Sequence, residues 1–293
     1  MNRYQKNRSI ERSLQEYLRG IVGGLLFSLP LLYTMEVWWA GFTMHPLRLL
    51  LYVLATFTLL LGYNRYAGLR YDFTPLEVAV DSVEEMGLGI ATSVVILWLL
   101  GQITTEMPGS EVAGKIIIES MTVAIGVSIG TAQLGGSSGG DDGDTGMEAT
   151  PRKSNSGPFF SEDVDFMGQL ATSTCGSVLF AANVAPTEEI IVIATQTTAL
   201  KLLGMAVLSI ILGAMILFYS DFSGAQSFSK SREIKTVFGG AVITYAIALV
   251  VSAAILWVFG RFDDTAAIVC LAQTVVLGLA ATLGASAGRL LLQ

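Results

Sequence analysis

The sequence predicts an all-α, polytopic membrane protein: a helix bundle of eight transmembrane helices arranged as two parallel four-helix repeats. Three observations lead to this prediction. The chain is 52% hydrophobic and 14% charged, with a mean hydropathy of +0.61, which is too apolar for an ordinary water-soluble domain. Apolar runs of the roughly 20 residues that cross a bilayer recur along the chain. Short patterns of the first half also return in the second half.

The apolar runs predict spans at residues 19–41, 47–64, 76–101, 112–134, 168–197, 201–220, 236–260 and 265–288. Residues 1–18 are polar and predict a cytoplasmic or interfacial segment, and the apolar run after them continues as in a retained signal anchor. Residues 135–167 are acidic and rich in Gly, Ser and Asp, which is typical of a flexible cytoplasmic linker. The two predicted repeats are therefore residues 19–134 and 168–293.

The basic residues predict the orientation of the bundle. With a cytoplasmic N-terminus, the outer side holds only four of the 17 Lys and Arg residues, namely Arg48, Lys115, Lys201 and Arg261. Cytoplasmic loops carry an excess of such residues, so both termini are expected in the cytoplasm. We expect a multi-pass protein of the inner (plasma) membrane of a bacterium.

The repeat is visible as aligned motifs. Aligning Phe27 with Phe180 also aligns Glu36 with Glu189. Further pairs keep the same order along the chain: Gly23 with Gly176, Trp98 with Trp257, Gly101 with Gly260, Thr122 with Thr274, and Gly126 with Gly278. An even number of spans in each unit makes the repeats parallel, with a pseudo-twofold axis along the membrane normal and a site near their interface.

Glu36 and Glu189 form the predicted symmetric site, each in the outer half of its span. A carboxylate at membrane depth is costly and marks an ion pathway by default. Pro30 and Pro186 interrupt the helical hydrogen bonds nearby and free carbonyl oxygens. Glu188 adds a carboxylate, while Asn183 and Thr187, four residues apart, share a helix face and add neutral oxygens. Such oxygens suit a hard cation, with Glu36 and Glu189 as its metal ligands. Alternatively, these acids pair with Lys115 or Lys201, or hold a static interhelical hydrogen bond.

Asp81, Glu84 and Glu85 are a second group of acids, in the inner half of span three. Their spacing places Asp81 on one helix face with both glutamates, and like charges so close favour a bound cation. The alternative is a solvated helix start, where acids stabilise the N-terminal dipole. Glu119, in span four, is a third candidate, and an ion pair with Lys115 one turn away is the competing interpretation.

The motifs, the two sets of four spans and the acidic linker resemble an uncharacterised family of bacterial integral membrane proteins, across the whole chain. Pro186-Thr187-Glu188-Glu189 is also similar to the Pro-Glu element in the repeats of the calcium/cation antiporter superfamily. That likeness favours Ca²⁺ as the ion. The parallel repeat departs from the inverted topology of that superfamily.

These observations predict a membrane cation channel or transporter, with Ca²⁺ or proton-coupled exchange favoured. The alternative is an accessory or structural membrane protein that transports nothing. No constellation of an intramembrane enzyme is present in the sequence, so we expect neither an enzyme nor a cofactor. The expected partners are an inorganic cation and the lipid bilayer, without nucleic acid; a homo-oligomer is left open.

Overall fold

A computed structural model describes residues 10–66, 74–134, 158–220 and 234–290, and all regular structure in them is α-helical. Most of the predicted linker lies outside the described residues, although the helix after it begins at Pro158, earlier than predicted. The helices are α1 (Ile10–Leu32), α2 (Met35–Thr43), α3 (Pro46–Tyr66), α4 (Pro75–Leu99), α5 (Gly109–Leu134), α6 (Pro158–Val184), α7 (Glu189–Gln196), α8 (Ala199–Ser220), α9 (Ile234–Val258) and α10 (Ala267–Leu290).

Six helices of the described residues are long and apolar enough to cross a membrane, or up to eight spans if each of two bent pairs counts as one. The bent pairs are α1 with α2, at 86°, and α6 with α7, at 89°. The continuous spans predicted at 19–41 and 168–197 are therefore each two helices at nearly a right angle. Pro30 lies in the last turn of α1 and Pro186 lies in the second break, where the missing N–H prevents a continuous helix.

Helix α5 lies at the centre of the bundle and α8 at its edge. In the apolar stretch of α5, 78% of the residues are buried, compared with 11% in α8. The most extensive contacts of the bundle join α1 to α5 and α6 to α10. We call the end of the bundle with the two bends the break end, and the end where α5 stops and α6 starts the linker end.

Glycines bring these two helix pairs together at backbone distance. A Cβ added to Gly23 would collide with the backbone of Gly126 and Gly130 on α5. A Cβ added to Gly176 would collide with the Gly284 carbonyl and approach Gly288 on α10. Small residues allow this close approach of membrane helices, whose association depends on packing rather than on the hydrophobic effect.

Helices α4 and α9 end with the same backbone hydrogen bonds. Gly101 and Gly260 have φ angles of 70° and 72°, in the left-handed region that glycine adopts without strain. Gln102 N–H donates to the Leu97 carbonyl at 2.8 Å, and Arg261 N–H donates to the Leu256 carbonyl at 2.9 Å. Both ends are therefore Schellman caps, which turn the chain sharply at the break end.

An ion pair joins the two halves of the chain at the break end. The Arg48 guanidinium donates two hydrogen bonds to the Asp263 carboxylate, at 2.6 and 2.7 Å, and lies 5.3 Å from the Trp257 ring centroid. The pair borders a cavity of about 530 Å³, which His45, Met44 and Phe259 also line.

This pair makes part of the stability depend on pH. The hydrogen bond from Arg48 lowers the pKa of Asp263 from its ordinary value of 3.8. Because the folded-state pKa is the lower one, the stabilisation is complete above the ordinary value and is lost as the pH falls through the lowered value. At neutral pH, Asp263→Asn is expected to lower the free energy of unfolding by about 1 kcal/mol or less, since the pair is solvent-accessible. At a pH where the carboxyl group is protonated, the substitution should have no effect.

Thermal unfolding in detergent at neutral and acidic pH checks this expectation. Asp264→Asn is the matched control, because Asp264 is an exposed neighbour whose φ of 52° asparagine also tolerates. An Asp263→Asn deficit that stays constant down to the lowest pH would contradict the ion-pair explanation.

Candidate functional site

The first bend is built from Pro30 and Thr34. The Pro30 carbonyl accepts hydrogen bonds from the Tyr33 N–H at 3.3 Å and from the Thr34 hydroxyl at 2.6 Å. Thr34 is the N-terminal cap of α2, so Glu36 falls in the first turn of that short helix and is half-buried. Glu36 thus lies beside the bend, whereas the sequence placed it inside a straight span.

The second bend, around Pro186, also combines a proline with a threonine whose hydroxyl bonds to a nearby backbone carbonyl. The Val184 carbonyl accepts from the Thr187 N–H at 3.1 Å and from the Thr187 hydroxyl at 2.9 Å. Glu188 caps α7, Glu189 lies in its first turn, and both side chains are exposed. Within the described residues, no group of three or more His, Cys, Asp or Glu side chains is arranged to hold a metal ion. The role of Glu36 and Glu189 as metal ligands stays a prediction.

Asn183 joins the two halves through the hydrogen-bond ladder of α1. Its Oδ1 accepts from the Leu31 N–H at 2.9 Å, and its Nδ2 donates to the Phe27 carbonyl at 3.1 Å. Leu31 and Phe27 are one helical bond apart, so the amide is inserted between a donor and an acceptor that would otherwise bond to each other. Both the oxygen and the nitrogen of the Asn183 amide are therefore bonded to backbone groups. The role of Asn183 as a cation ligand stays a prediction.

Replacing this amide is expected to destabilise the contact between the halves. Asn183→Leu keeps the side-chain volume but leaves the Leu31 N–H and the Phe27 carbonyl without the inserted partner, which costs about 1–3 kcal/mol. Thermal unfolding in detergent measures the effect, and Thr195→Val, which removes an exposed hydroxyl from α7, serves as control. Equal unfolding temperatures for both variants would contradict this expectation. They would mean that the Leu31 N–H and the Phe27 carbonyl bond to each other once the amide is absent.

A cation of the chain itself faces two of the predicted acids. Arg261, after α9, is half-buried, and burial lowers the pKa of its guanidinium while the charges of Glu188 and Glu36 act in the opposite direction. Glu36 and Glu188 come from different halves, and both are near enough to Arg261 for their charges to act on it. The sequence proposed Lys115 or Lys201 as partners for these acids, and neither the alignment nor the spacing indicated Arg261.

Glu85 takes part in a hydrogen-bond network that links three helices near the linker end. Asn64 of α3 donates through Nδ2 to Glu85 Oε2 at 2.7 Å and to Ser82 Oγ at 3.1 Å. Ser128 of α5 donates to Asn64 Oδ1 at 3.0 Å. Asp81 is half-buried and Glu84 is exposed, so the three predicted acids are in different environments.

Glu119 is the most deeply enclosed acid of the described chain. Its side chain has no exposed surface, and neither carboxylate oxygen has a hydrogen-bond partner among the described residues. The competing ion pair with Lys115 is absent, because the Lys115 ammonium lies 2.7 Å from Glu111 and donates to the Gln102 carbonyl at 3.2 Å. Glu119 is therefore a carboxyl group inside a membrane helix for which the described residues provide no ion-pair partner.

Two aromatic side chains surround Glu119. The Trp38 indole N–H of α2 lies near its carboxyl group, but the two do not have the geometry of a hydrogen bond, and the N–H has no other partner among the described residues. Tyr52 of α3 is the second, and its hydroxyl is 3.0 Å from the Thr122 hydroxyl. Charge on so enclosed a carboxylate is very costly unless a proton or a cation neutralises it. The arrangement can therefore bind and release a positive charge.

The sequence contained a repeated glycine and serine motif that the first alignment of the two halves missed. Gly126-Val127-Ser128-Ile129-Gly130 matches Gly284-Ala285-Ser286-Ala287-Gly288, and these two segments pack on Gly23 and Gly176 respectively. Aligning Gly126 with Gly278, as the sequence first indicated, shifts the fourth helix of the second half away from this contact. The buried positions Tyr52, Thr56 and Asn64 of α3 also follow helical spacing.

A family model described as "Putative integral membrane protein (DUF2391)" matches residues 16–292. The chain belongs to this family. Membership agrees with the expected resemblance to an uncharacterised family of integral membrane proteins, and it places this DUF2391 protein in a lipid bilayer. No curated protein and no solved structure gives a significant match.

Proposed function

We propose that this protein is a cation transporter or channel whose ions cross the bundle past carboxylates buried in its first half. The observation that carries the proposal is Glu119, enclosed in the central helix without a hydrogen-bond partner or counter-charge among the described residues. A structural role would favour a paired or apolar side chain at this depth, whereas an ion pathway needs a group that is neutralised only in transit.

Glu85 supports the same proposal from the linker end. It lies between polar groups of α3 and α5, beside the further acids Asp81 and Glu84. The acids of the symmetric pair support it less directly. Because Arg261 faces Glu36 and Glu188, these two contribute to the electrostatics of the break end rather than to an open ligand set.

The tandem duplication remains part of the proposal. It is supported by the two bends of 86° and 89°, by the equal caps after α4 and α9, and by the glycine contacts of α1 with α5 and α6 with α10. In the proposed orientation both termini are cytoplasmic, the membrane is the inner membrane of a bacterium, and the break end faces outward.

Cation flux into proteoliposomes tests the function. Purified protein is reconstituted and Ca²⁺, Mg²⁺, Na⁺, K⁺ and protons are offered in turn, with protein-free vesicles as the blank. Protein-dependent flux of one of these ions is the expected result, and it also tests the preference for Ca²⁺ that the sequence indicated. If none of these ions crosses in excess of the blank, transport is excluded and the accessory-protein alternative replaces it.

A further inference from the structure

Polar side chains form a buried stripe along the contact between α3 and α5. Tyr52, Thr56 and Asn64 lie on α3 with 3%, 1% and 6% of their surface exposed. Glu119, Thr122 and Ser128 lie on α5 and are 2% exposed or less. Buried hydroxyls also occur elsewhere in the described bundle, but ionisable groups inside a membrane are rare and face its interior, so Glu119 in this stripe needs an explanation.

The stripe has two hydrogen-bonded sections. Towards the break end, Thr122 follows Glu119 by about one helical turn, and its hydroxyl is 3.0 Å from that of Tyr52. Towards the linker end, Ser128 donates to Asn64, and Asn64 donates to Glu85. The linker-end section therefore joins Glu85 to groups that donate and accept hydrogen bonds. At the break end, Tyr52 and Thr122 are bonded to each other near Glu119, whose carboxylate has no hydrogen-bond partner among the described residues.

An apolar layer separates the two sections. Thr122 and Ser128 are about 9 Å apart along the axis of α5. Leu60 of α3 and Ile125 of α5, both without exposed surface, lie at the level between them. Thr56 of α3 supplies a hydroxyl on the break side of this layer. Apolar side chains at this level disfavour a hydrated metal ion, while at about 2.8 Å for each hydrogen bond about two transient water molecules would be enough to pass a proton.

We propose that the transported cation is a proton, which moves along the α3–α5 contact between Glu119 and Glu85. This deepens the proposed function and depends on it. In each step a hydroxyl, or a transient water molecule in the apolar layer or beside Glu119, accepts one proton and gives up another, so no relay group changes its net charge. The Asn64 amide positions Ser128 and Glu85 and carries no proton itself, so the Ser128 hydroxyl exchanges the proton with Glu85 directly. The proton is taken up at one carboxylate and released at the other.

The ionisable groups around both ends fit this role. Tyr52 faces Glu119 from α3, while Lys115 of the same helix is engaged with Glu111. Glu85 is faced by Asp81 and Glu84 on its own helix and by Cys175 from α6. Among the described residues, no basic side chain bonds to the Glu119 carboxylate. A bound proton can therefore neutralise its charge.

The second half lacks both carboxyl groups. Glu119 stands seven residues before Gly126, and the residue seven before Gly284 is Leu277. Glu85 stands sixteen residues before Gly101, and the residue sixteen before Gly260 is Thr244, whose hydroxyl accepts a hydrogen bond from Arg289 at 2.8 Å. The proton route is therefore assigned to the first half alone.

Near-isosteric variants test the route. Thr122→Val and Ser128→Ala each remove one relay hydroxyl and leave every acid in place. Thr58→Val is the control, because Thr58 is an exposed residue of α3 whose hydroxyl bonds only to its own helix. Proton uptake is followed with an internal pH dye while a K⁺ diffusion potential drives it, and thermal unfolding checks that each variant is folded.

We expect Thr122→Val and Ser128→Ala to lower proton uptake at least about tenfold and Thr58→Val to leave it unchanged. If protons cross but the relay variants behave like the control, the route is wrong and the proposed function stands. If another cation crosses without protons, the choice of ion is wrong and the proposed function again stands. If no cation crosses, both proposals fail together.

Discussion

Glu119→Gln is expected to reduce cation flux at least about tenfold, equivalent to about 1.4 kcal/mol in the transport barrier. Glutamine has the shape of glutamate but can neither carry a negative charge nor take up and release a proton at neutral pH. Because the carboxyl group has no partner in the resting structure, its removal breaks no bond of the described fold. The variant should therefore unfold at the same temperature as the wild type or higher, since a buried unpaired charge opposes folding.

Reconstituted vesicles provide the measurement, with Glu106→Gln as matched control because Glu106 is an exposed acid between α4 and α5. If the folded Glu119→Gln variant carries cations at the wild-type rate, Glu119 does not lie on the ion pathway and the proposed function loses its main support. Glu36→Gln and Glu189→Gln in the same assay test the symmetric pair that the sequence singled out. A loss at those residues alone would move the ion pathway to the break end.

Gly176→Ala is expected to cause a large loss of stability from a single methyl group. The added Cβ would collide with the Gly284 carbonyl, and backbone of α10 cannot move aside as a flexible side chain does. Helices α6 and α10 must then separate along their whole contact. The cost is expected at or above the about 1–3 kcal/mol typical of overpacking, which lowers the unfolding temperature by on the order of 5 °C.

Gly204→Ala on α8 is the control, because a Cβ there meets nothing within 4 Å. It should leave the unfolding temperature unchanged or raise it, since alanine is the better helix former. A similar small effect of both substitutions would show that the α6–α10 contact is looser than its glycines indicate. Thermal unfolding of both variants in the same detergent distinguishes these results.

Much of the fold follows from local sequence. Apolar runs and the scarcity of charge identify an integral membrane protein, which the family assignment confirms. Pro30 and Pro186 marked the places where the helices break. The bend angle did not follow, because a proline removes a hydrogen bond without fixing the direction in which the chain continues. Glu36 and Glu189 were therefore expected inside straight spans, and they lie at the start of short helices.

The environment of each candidate acid was less accessible to sequence reasoning. Spacing on one helix suggested that Lys115 neutralises Glu119, yet Glu111 is equally spaced on the other side of Lys115 and bonds to it instead. Asn183 was taken as a cation ligand because it shares a helix face with Thr187. Its partners on α1 lie far away in the sequence, so spacing could not indicate them. Arg261 was counted only as a charge for orientation. Such pairings depend on the packing of separate helices, which periodicity does not encode.

The amide inserted into α1 has a mechanical consequence. Asn183 and the Arg48–Asp263 pair fasten the two halves to each other at the break end. If one half rocked against the other, these contacts would place the pivot near Asn183, and the amplitude would grow with distance from that point. The linker end would then move furthest, and access to Glu85 would change more than access to Glu119.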